Sequence, residues 1–361
     1  MTETPAPFQA NYPSQKKPFS GLLSGPGRAR SLLRFVLACA WYAAAMRLAA
    51  VAGWFTRGDF ATLLYQCGLV ILLLVGYSLM GMVLDGQDEP FNAMGLVRRA
   101  TTAKEFGVGA ALGWGLVLVA VLPMALTERL YVDFWTSPRM FFLFALNVGV
   151  IAAGALVEEL VFRGYPFQRL IEATGPTKAT ILMAIFFGLV HMGNTDASLT
   201  SVLVTMLAGV LLSIAYLRTH ALWLPWGLHA AWNLSMGGFF GLPVSGNTDF
   251  ATIVQTNAVG PRWLTGGVYG PEAALPTFLV LIVGIGVLMR VTRDYAWEYT
   301  HKPIVPAGYP MDVAPPKAHV DMENRAAATP QLIQIAATTP QEPSLHSKDV
   351  LPELPGVSRE E

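Results

Sequence analysis

Long apolar runs separated by short polar segments dominate this sequence, and they restrict the chain to helices in a membrane. Several runs approach or exceed the roughly 18 to 20 apolar residues that cross a bilayer as a helix. Only 13% of the residues are charged, about half the fraction of a soluble domain. The sequence predicts an all-α polytopic membrane helix bundle with about eight transmembrane helices. The predicted spans are about 35–55, 63–84, 107–126, 140–158, 179–192, 198–217, 222–240 and 275–291.

Polar segments flank this bundle on both sides. Residues 1–30 and 295–361 lack apolar periodicity and are predicted to be disordered cytoplasmic tails, because such segments bury too little surface to fold alone. The transmembrane domain is predicted at 31–294, with the motif core at 140–240. The first apolar run begins near Ser31 and is too long for a cleaved signal peptide. The loop at about 241–274 could pack over the bundle as a cap.

Lysine and arginine predict the orientation, since cytoplasmic segments carry an excess of both. With a cytoplasmic N-terminus the outer loops hold only Arg57, Arg129, Arg139 and Arg262. We therefore predict that both termini are cytoplasmic, and the lack of eukaryotic targeting signals favours a bacterial plasma membrane. The inner segments hold many more bases, among them Lys16, Lys17, Arg28, Arg30, Arg98, Arg99, Lys104, Arg163, Arg169, Lys178, Arg218, Arg290, Arg293 and Lys302.

Three residues inside predicted spans have a structural interpretation. Arg47 either snorkels to the interface or pairs with an acid in the bundle. Cys39 and Cys67 have no paired spacing and are interpreted as small packing residues, not as a disulfide or a metal site.

The net charge of zero gives no basic face, which argues against a nucleic-acid partner.

Two adjacent acids, Glu158 and Glu159, end a long apolar run. A carboxylate inside a bilayer costs roughly 2.5 to 3.5 kcal/mol on insertion scales and usually lines a cavity. Glu159 and Arg163 are spaced i,i+4, which favours pairing on one helical face, and Glu158 points about 100° away. The alternative is that both acids merely solvate a helix end at the cytoplasmic interface.

Two later spans supply further polar side chains. His191 follows Phe187 by one helical turn, and His229 and Asn233 are i,i+4 in a helix that starts near Pro225. Taken alone, His191 fits an interfacial packing residue, and the His229–Asn233 pair fits interhelical hydrogen bonding.

Together these residues predict a polar intramembrane cavity that can hydrolyse a peptide bond. A carboxylate beside a histidine can take a proton from water and return it to a leaving group, and a histidine with an asparagine can stabilise an oxyanion. Alternatively, Glu158, His191 and His229 could ligate zinc with water in the open position, although the sequence has no HExxH helix.

The three motifs resemble those of the CPBP family of intramembrane proteases. Glu158 to Arg163 is similar to the family's EExxxR motif, Phe187 to His191 to its FxxxH motif, and His229 to Asn233 to its HxxxN motif. The family comprises type II CAAX prenyl endopeptidases and bacteriocin-processing or immunity proteins, also called Abi proteins. Many members are named metalloproteases, but a metal-free glutamate mechanism has also been argued, so a zinc cofactor stays open.

The resemblance also implies individual roles. Glu158 and His191 would activate the attacking water, while His229 and Asn233 would stabilise the oxyanion or ligate a metal. Glu159, Arg163 and Phe187 would support the site, with Arg163 either binding a substrate carboxylate or fixing its helix. The implied activity is intramembrane endopeptidase cleavage near the cytoplasmic face.

The expected partners are membrane lipid and a membrane-associated peptide or protein substrate. A second hypothesis is a non-enzymatic immunity, scaffold or transporter protein that uses the polar cluster for packing or binding. A third is a proton-coupled carrier with Glu158 and His191 as its relay, although the mirrored halves typical of carriers are not evident in the sequence.

Overall fold

A computed structural model of the protein describes residues 27–53 and 56–293 and shows a helical bundle with one small β-ribbon. The predicted tails lie outside these residues, except that Arg28 to Arg30 form the first turn of α1 instead of the end of a tail. The helices are α1 Arg28–Gly53, α2 Ala61–Asp85, α3 Thr102–Leu126, α4 Pro138–Phe162, α5 Tyr165–Thr174, α6 Pro176–Val190, α7 Leu199–Thr219, α8 Trp223–Asn233, α9 Arg262–Thr265 and α10 Leu275–Val291. The strands are β1 Leu130–Phe134 and β2 Val254–Ala258.

The structure confirms the all-α polytopic bundle. In the described part of the chain, six helical segments are long and apolar enough to cross a membrane, and α4 and α5 together form one of them. The other two predicted spans are shorter helices. One is α10, and the other is α8, which the π-helical segment Leu234–Phe239 extends.

Contacts between connections define two ends of the bundle. At one end β1 pairs antiparallel with β2, Arg139 pairs with Asp59 at 2.7 Å, and Arg262 pairs with Asp196 at 2.9 Å. We call this the capped end, and it comprises the connections 56–60, 127–137, 191–198 and 240–274.

The opposite end contains the start of α1, the end of α10 and the connections 86–101, 163–175 and 220–222. Asp85 contacts both Arg34 at 2.7 Å and Arg169 at 3.0 Å, which joins α1, α2 and α5. Arg218 donates to the hydroxyl of Thr292 at 3.0 Å. We call this the basic end, because most of the lysine and arginine residues within 27–53 and 56–293 lie there.

The segment 240–274 packs over its end of the bundle, as the sequence suggested for 241–274. Its own residues Leu242, Val244, Leu264 and Tyr269 are buried. The sequence analysis missed its strand β2, whose partner β1 lies more than 100 residues earlier in the chain and is largely exposed. Short exposed strands with distant partners leave no strong apolar alternation in a sequence.

The structure also locates the intramembrane arginine and the cysteines. Arg47 is exposed on α1, about two turns from the helix end, so its side chain can extend toward the interface at the capped end. Cys39 and Cys67 are free and exposed. Both side chains point away from the interior of the bundle, so their interpretation as residues packed inside it was wrong.

Helices α3 and α8 are in backbone-to-backbone contact. A Cβ at Gly109 would lie 2.1 Å from the carbonyl oxygen of Leu224, and one at Gly113 would lie 2.2 Å from that of Leu228. Glycines four residues apart let membrane helices approach closely. Because Leu228 immediately precedes His229, this contact also sets the position of His229.

We expect Gly113→Ala to destabilise the bundle by about 1–3 kcal/mol through overpacking and to displace α8. Thermal unfolding in detergent measures this loss. The matched control is Gly115→Ala on the same helix, where an added Cβ meets nothing within 4 Å. Equal stability of the two variants would contradict a close α3–α8 contact.

Candidate active site

Helix α4 carries both glutamates in its last two turns. Its start is fixed by Ser137, whose side chain caps the helix by accepting from the backbone N–H of Met140, with Pro138 at the first position. The chain then turns at Gly164, where a Cβ would lie 2.3 Å from the carbonyl oxygen of Leu160. The helix therefore presents Glu158 and Glu159 close to this turn and inside the bundle.

Glu159 is a fully buried carboxylate with two partners, an arginine and a histidine. Its Oε1 atom lies 3.1 Å from Nη1 of Arg163 and 2.8 Å from Nδ1 of His229. Arg163 is also buried, and its Nη2 donates to the carbonyl oxygen of Gly209 on α7 at 3.1 Å. The predicted i,i+4 pair is therefore formed, and it connects α4 to α7 and α8.

This contact determines which ring nitrogen of His229 carries the hydrogen. A carboxylate only accepts hydrogen bonds, so Nδ1 of His229 carries the hydrogen that it donates to Glu159. The opposite nitrogen, Nε2, lies 3.8 Å from Oε2 of Glu158. That separation is longer than a hydrogen bond and leaves both atoms available to a third group.

Phe187 and His191 complete one wall of the site. Nδ1 of His191 lies 2.7 Å from the carbonyl oxygen of Phe187, and since a carbonyl only accepts, this nitrogen is also the protonated one. Nε2 of His191 is then a free acceptor in the neutral ring. The Phe187 ring lies 4.7 Å from His191, 6.2 Å from His229 and 4.6 Å from the Arg163 guanidinium carbon.

Helix α8 supplies His229 and Asn233 from the same face, as the i,i+4 spacing predicted. Pro225 lies in its first turn. Asn233 ends the α-helical part, and the π-helical segment Leu234–Phe239 follows directly. Such π turns occur frequently at functional sites.

All four predicted catalytic residues, Glu158, His191, His229 and Asn233, line one cavity of about 660 Å³, a usual size for a ligand site. The Glu158 side chain is 35% exposed. Glu159 and Arg163 do not line this cavity, so they lie behind the site. The alternative in which both acids only solvate a helix end does not fit this arrangement.

The capped end contributes cavity residues that the sequence analysis missed. Glu272 accepts from the Trp232 indole at 2.7 Å and from the Ser245 hydroxyl at 2.6 Å, so it ties the cap to α8. Burial raises the pKa of nearby Tyr269, and the charge of Glu272 adds to that rise. Only the folded loop brings Glu272 to the cavity, and no local motif marks it in the sequence.

Metal binding was the alternative role for Glu158, His191 and His229. Among residues 27–53 and 56–293, no three His, Cys, Asp or Glu side chains form a group that could hold a metal ion. The three candidates share a cavity without converging on one point. The observed arrangement therefore does not fit a bound zinc ion, and we derive no step through one.

The opening of the cavity and its base lie toward different ends of the bundle. The exposed residues of its rim are Gly193, Thr195 and 247–249, all at the capped end, which the predicted orientation makes the outer end. Glu158 lies deeper, in the last two turns of α4, which lead toward the basic end. Cleavage was predicted near the cytoplasmic face, whereas the rim indicates entry from the outer end.

Comparison with known proteins relates this segment to a family. Residues 138–235 match the family described as Rce1-like, type II CAAX prenyl endopeptidase Rce1-like. This segment of the chain is therefore similar to the Rce1-like family. The match covers about a quarter of the 361 residues and contains every predicted site residue. No match was found among curated proteins or among solved structures.

The match of residues 138–235 confirms the predicted resemblance to the CPBP proteases. It supports a CAAX protease-type enzyme, and the membrane-length helices indicate an integral membrane protein. The family match assigns no role to individual residues, so the roles of the four cavity residues stay predictions.

The two adjacent glutamates are expected to respond differently to the same substitution. Glu159→Gln leaves the buried Arg163 charge without its partner, and breaking such a pair costs about 3–5 kcal/mol. Glu158→Gln alters a partly exposed side chain with no hydrogen-bond partner at Oε2 among the described residues, so its unfolding temperature should stay near wild type. Thermal unfolding of both purified variants in one detergent tests this, and equal losses would contradict the assigned geometry.

Proposed function

We propose that the protein is an intramembrane endopeptidase that hydrolyses a peptide bond with water activated by Glu158 and His191. The observation that carries this proposal is the Glu158 carboxylate, held 3.8 Å from His229 Nε2 in the cavity that His191 and Asn233 also line. The cavity thus contains a candidate base (Glu158), an acceptor that could orient water (His191) and two candidate oxyanion donors (His229 and Asn233). Substrates would be membrane-associated peptides or proteins.

Water activation would use Glu158 and His191. The free Nε2 of neutral His191 accepts one hydrogen of the water and orients it, while Glu158 takes the other proton as the oxygen attacks the carbonyl carbon. Protonated Glu158 then delivers that proton to the leaving amine, and the C–N bond breaks. This cycle returns both side chains to their starting states and forms no covalent intermediate with the enzyme.

Oxyanion stabilisation would use His229 and Asn233. The Asn233 amide supplies one N–H, and His229 supplies a second from Nε2 when its ring is doubly protonated. The carboxylates of Glu158 and Glu159 on either side of that ring stabilise its positive charge. Since Glu159 already holds Nδ1, the ring needs no reorganisation as charge develops, which is the condition for effective electrostatic stabilisation.

The test compares the membrane proteomes of cells that express wild type or Glu158→Gln. We expect peptide fragments with new termini in wild type and their loss in the variant, because removing a general base costs about 10²–10⁴ in rate. Asn233→Ala should lower the same products by about 10²–10³. Expression level and unfolding temperature, measured in parallel, separate loss of catalysis from loss of folding.

The matched control is His220→Asn. His220 caps α7 at the basic end with a left-handed backbone that asparagine tolerates, and it does not line the cavity. This variant should give the wild-type products. Full retention of the products by Glu158→Gln would overturn the proposal and favour the non-enzymatic hypothesis.

A further inference from the structure

The cavity extends from the capped end into the bundle. It is lined by residues 150–158 of α4, by Phe187 near the end of α6 and the loop 191–195, by residues 204–212 of α7, and by the cap residues 244–250 and Glu272. Helix α8 contributes Leu228 to Asn233, which lie away from its start at the basic end. Because the exposed rim lies entirely at the capped end, a substrate reaches Glu158 from that end.

The positive charges of the described residues lie mostly at the opposite end. The capped end carries only Arg57, Arg129 and Arg262 in its connections, with Arg139 at the start of α4 and Arg47 nearby in α1. Counts of lysine and arginine in short connections set the orientation of membrane proteins, and acids contribute little. The basic end therefore faces the cytoplasm. Its bases are Arg28, Arg30, Arg34, Arg98, Arg99, Lys104, Arg163, Arg169, Lys178, Arg218, Arg290 and Arg293.

Carboxylates are the main charged groups of the cavity wall. Glu158, Asp249 and Glu272 line it, and no lysine or arginine of the described residues does. Arg163, which the sequence analysis considered as a receptor for a substrate carboxylate, is only 1% exposed and is already bonded to Glu159 and Gly209. A free chain-terminal carboxylate would thus meet three carboxylates with no lysine or arginine of the described residues to pair with it, and this is unfavourable.

We propose that the cavity opens on the extracytoplasmic face and receives internal, neutral or basic segments of extracytoplasmic peptides. The free C-terminal carboxylate of a cytosolic chain does not fit it. A CAAX sequence is such a C-terminal segment, so this chain would differ in substrate class from the activity in its family's name. The inference rests on the proposed function for the cleavage step, whereas the direction of the opening can be measured separately.

Cysteine accessibility tests the direction of the opening. In a full-length Cys39→Ala, Cys67→Ala background, single cysteines replace Val268 or Thr195 at the capped end and Ala100 at the basic end. All three positions are exposed. Bacterial cells expressing each variant are treated with a membrane-impermeant maleimide before and after permeabilisation.

Val268→Cys and Thr195→Cys should label in intact cells, at least about tenfold more than Ala100→Cys, which should label only after permeabilisation. The reverse pattern, or equal labelling of both ends in intact cells, would overturn the inference. If a variant fails to accumulate, Tyr131→Cys at the capped end and Thr177→Cys at the basic end replace it, since both positions are exposed. Maleimide labelling of the cysteine-free background defines the zero level of the measurement.

The same cells also test the substrate class. Fragments present in wild type and absent in Glu158→Gln should arise within extracytoplasmic segments of neutral or positive charge. Fragments produced by trimming cytosolic C-termini would overturn the inference and leave the proposed protease activity intact. If wild type and Glu158→Gln give identical fragments, the proposed function fails, and the labelling result still decides the direction of the opening.

Discussion

The buried carboxylate of Glu159 is the contact on which the rest of the site depends. Removing a carboxylate and a guanidinium from water costs several kcal/mol each, and such groups persist only with well-placed partners. Glu159 meets Arg163 and His229, and Arg163 continues to the Gly209 carbonyl. One charged group therefore sets the relative rotation of α4, α7 and α8, and with it the direction in which His229 points.

Glu158 and Glu159 occupy adjacent positions on one helix and have different surroundings. A single acid could not both pair with buried groups and face the cavity. Residues one apart on a helix differ by about 100° in direction, so Glu159 enters the helix interface while Glu158 reaches the cavity. The inner acid is neutralised and holds His229 in one orientation. The outer acid keeps an unbonded oxygen and can exchange a proton. Phe187 packs against Arg163 and both imidazoles, which makes the wall behind these groups apolar.

Local spacing allowed much of this site to be predicted from the sequence. The Glu159–Arg163 pair and the common face of His229 and Asn233 depend on positions four apart in one helix, and helix geometry alone determines these relations. The contact of Glu159 with His229 was not predictable, because it depends on the rotation of α4 against α8. That rotation follows from the glycine contacts of α3 and from packing across the bundle. The cap residue Glu272 was missed for a similar reason, since its partners Trp232 and Ser245 are distant in sequence.

The motif residues determine distances within the bundle, but they do not determine which compartment the cavity faces. Every contact among Glu158, Glu159, His191 and His229 would be the same if the whole bundle were inverted in the membrane. Orientation depends instead on the charges of the connections, and most bases at the basic end, including Arg98, lie outside the matched segment 138–235. Two chains that share this catalytic geometry can therefore act on opposite sides of a membrane. In our proposal the substrate class depends on the loops and on the charge of the cavity wall, whereas the motif residues carry the proposed chemistry.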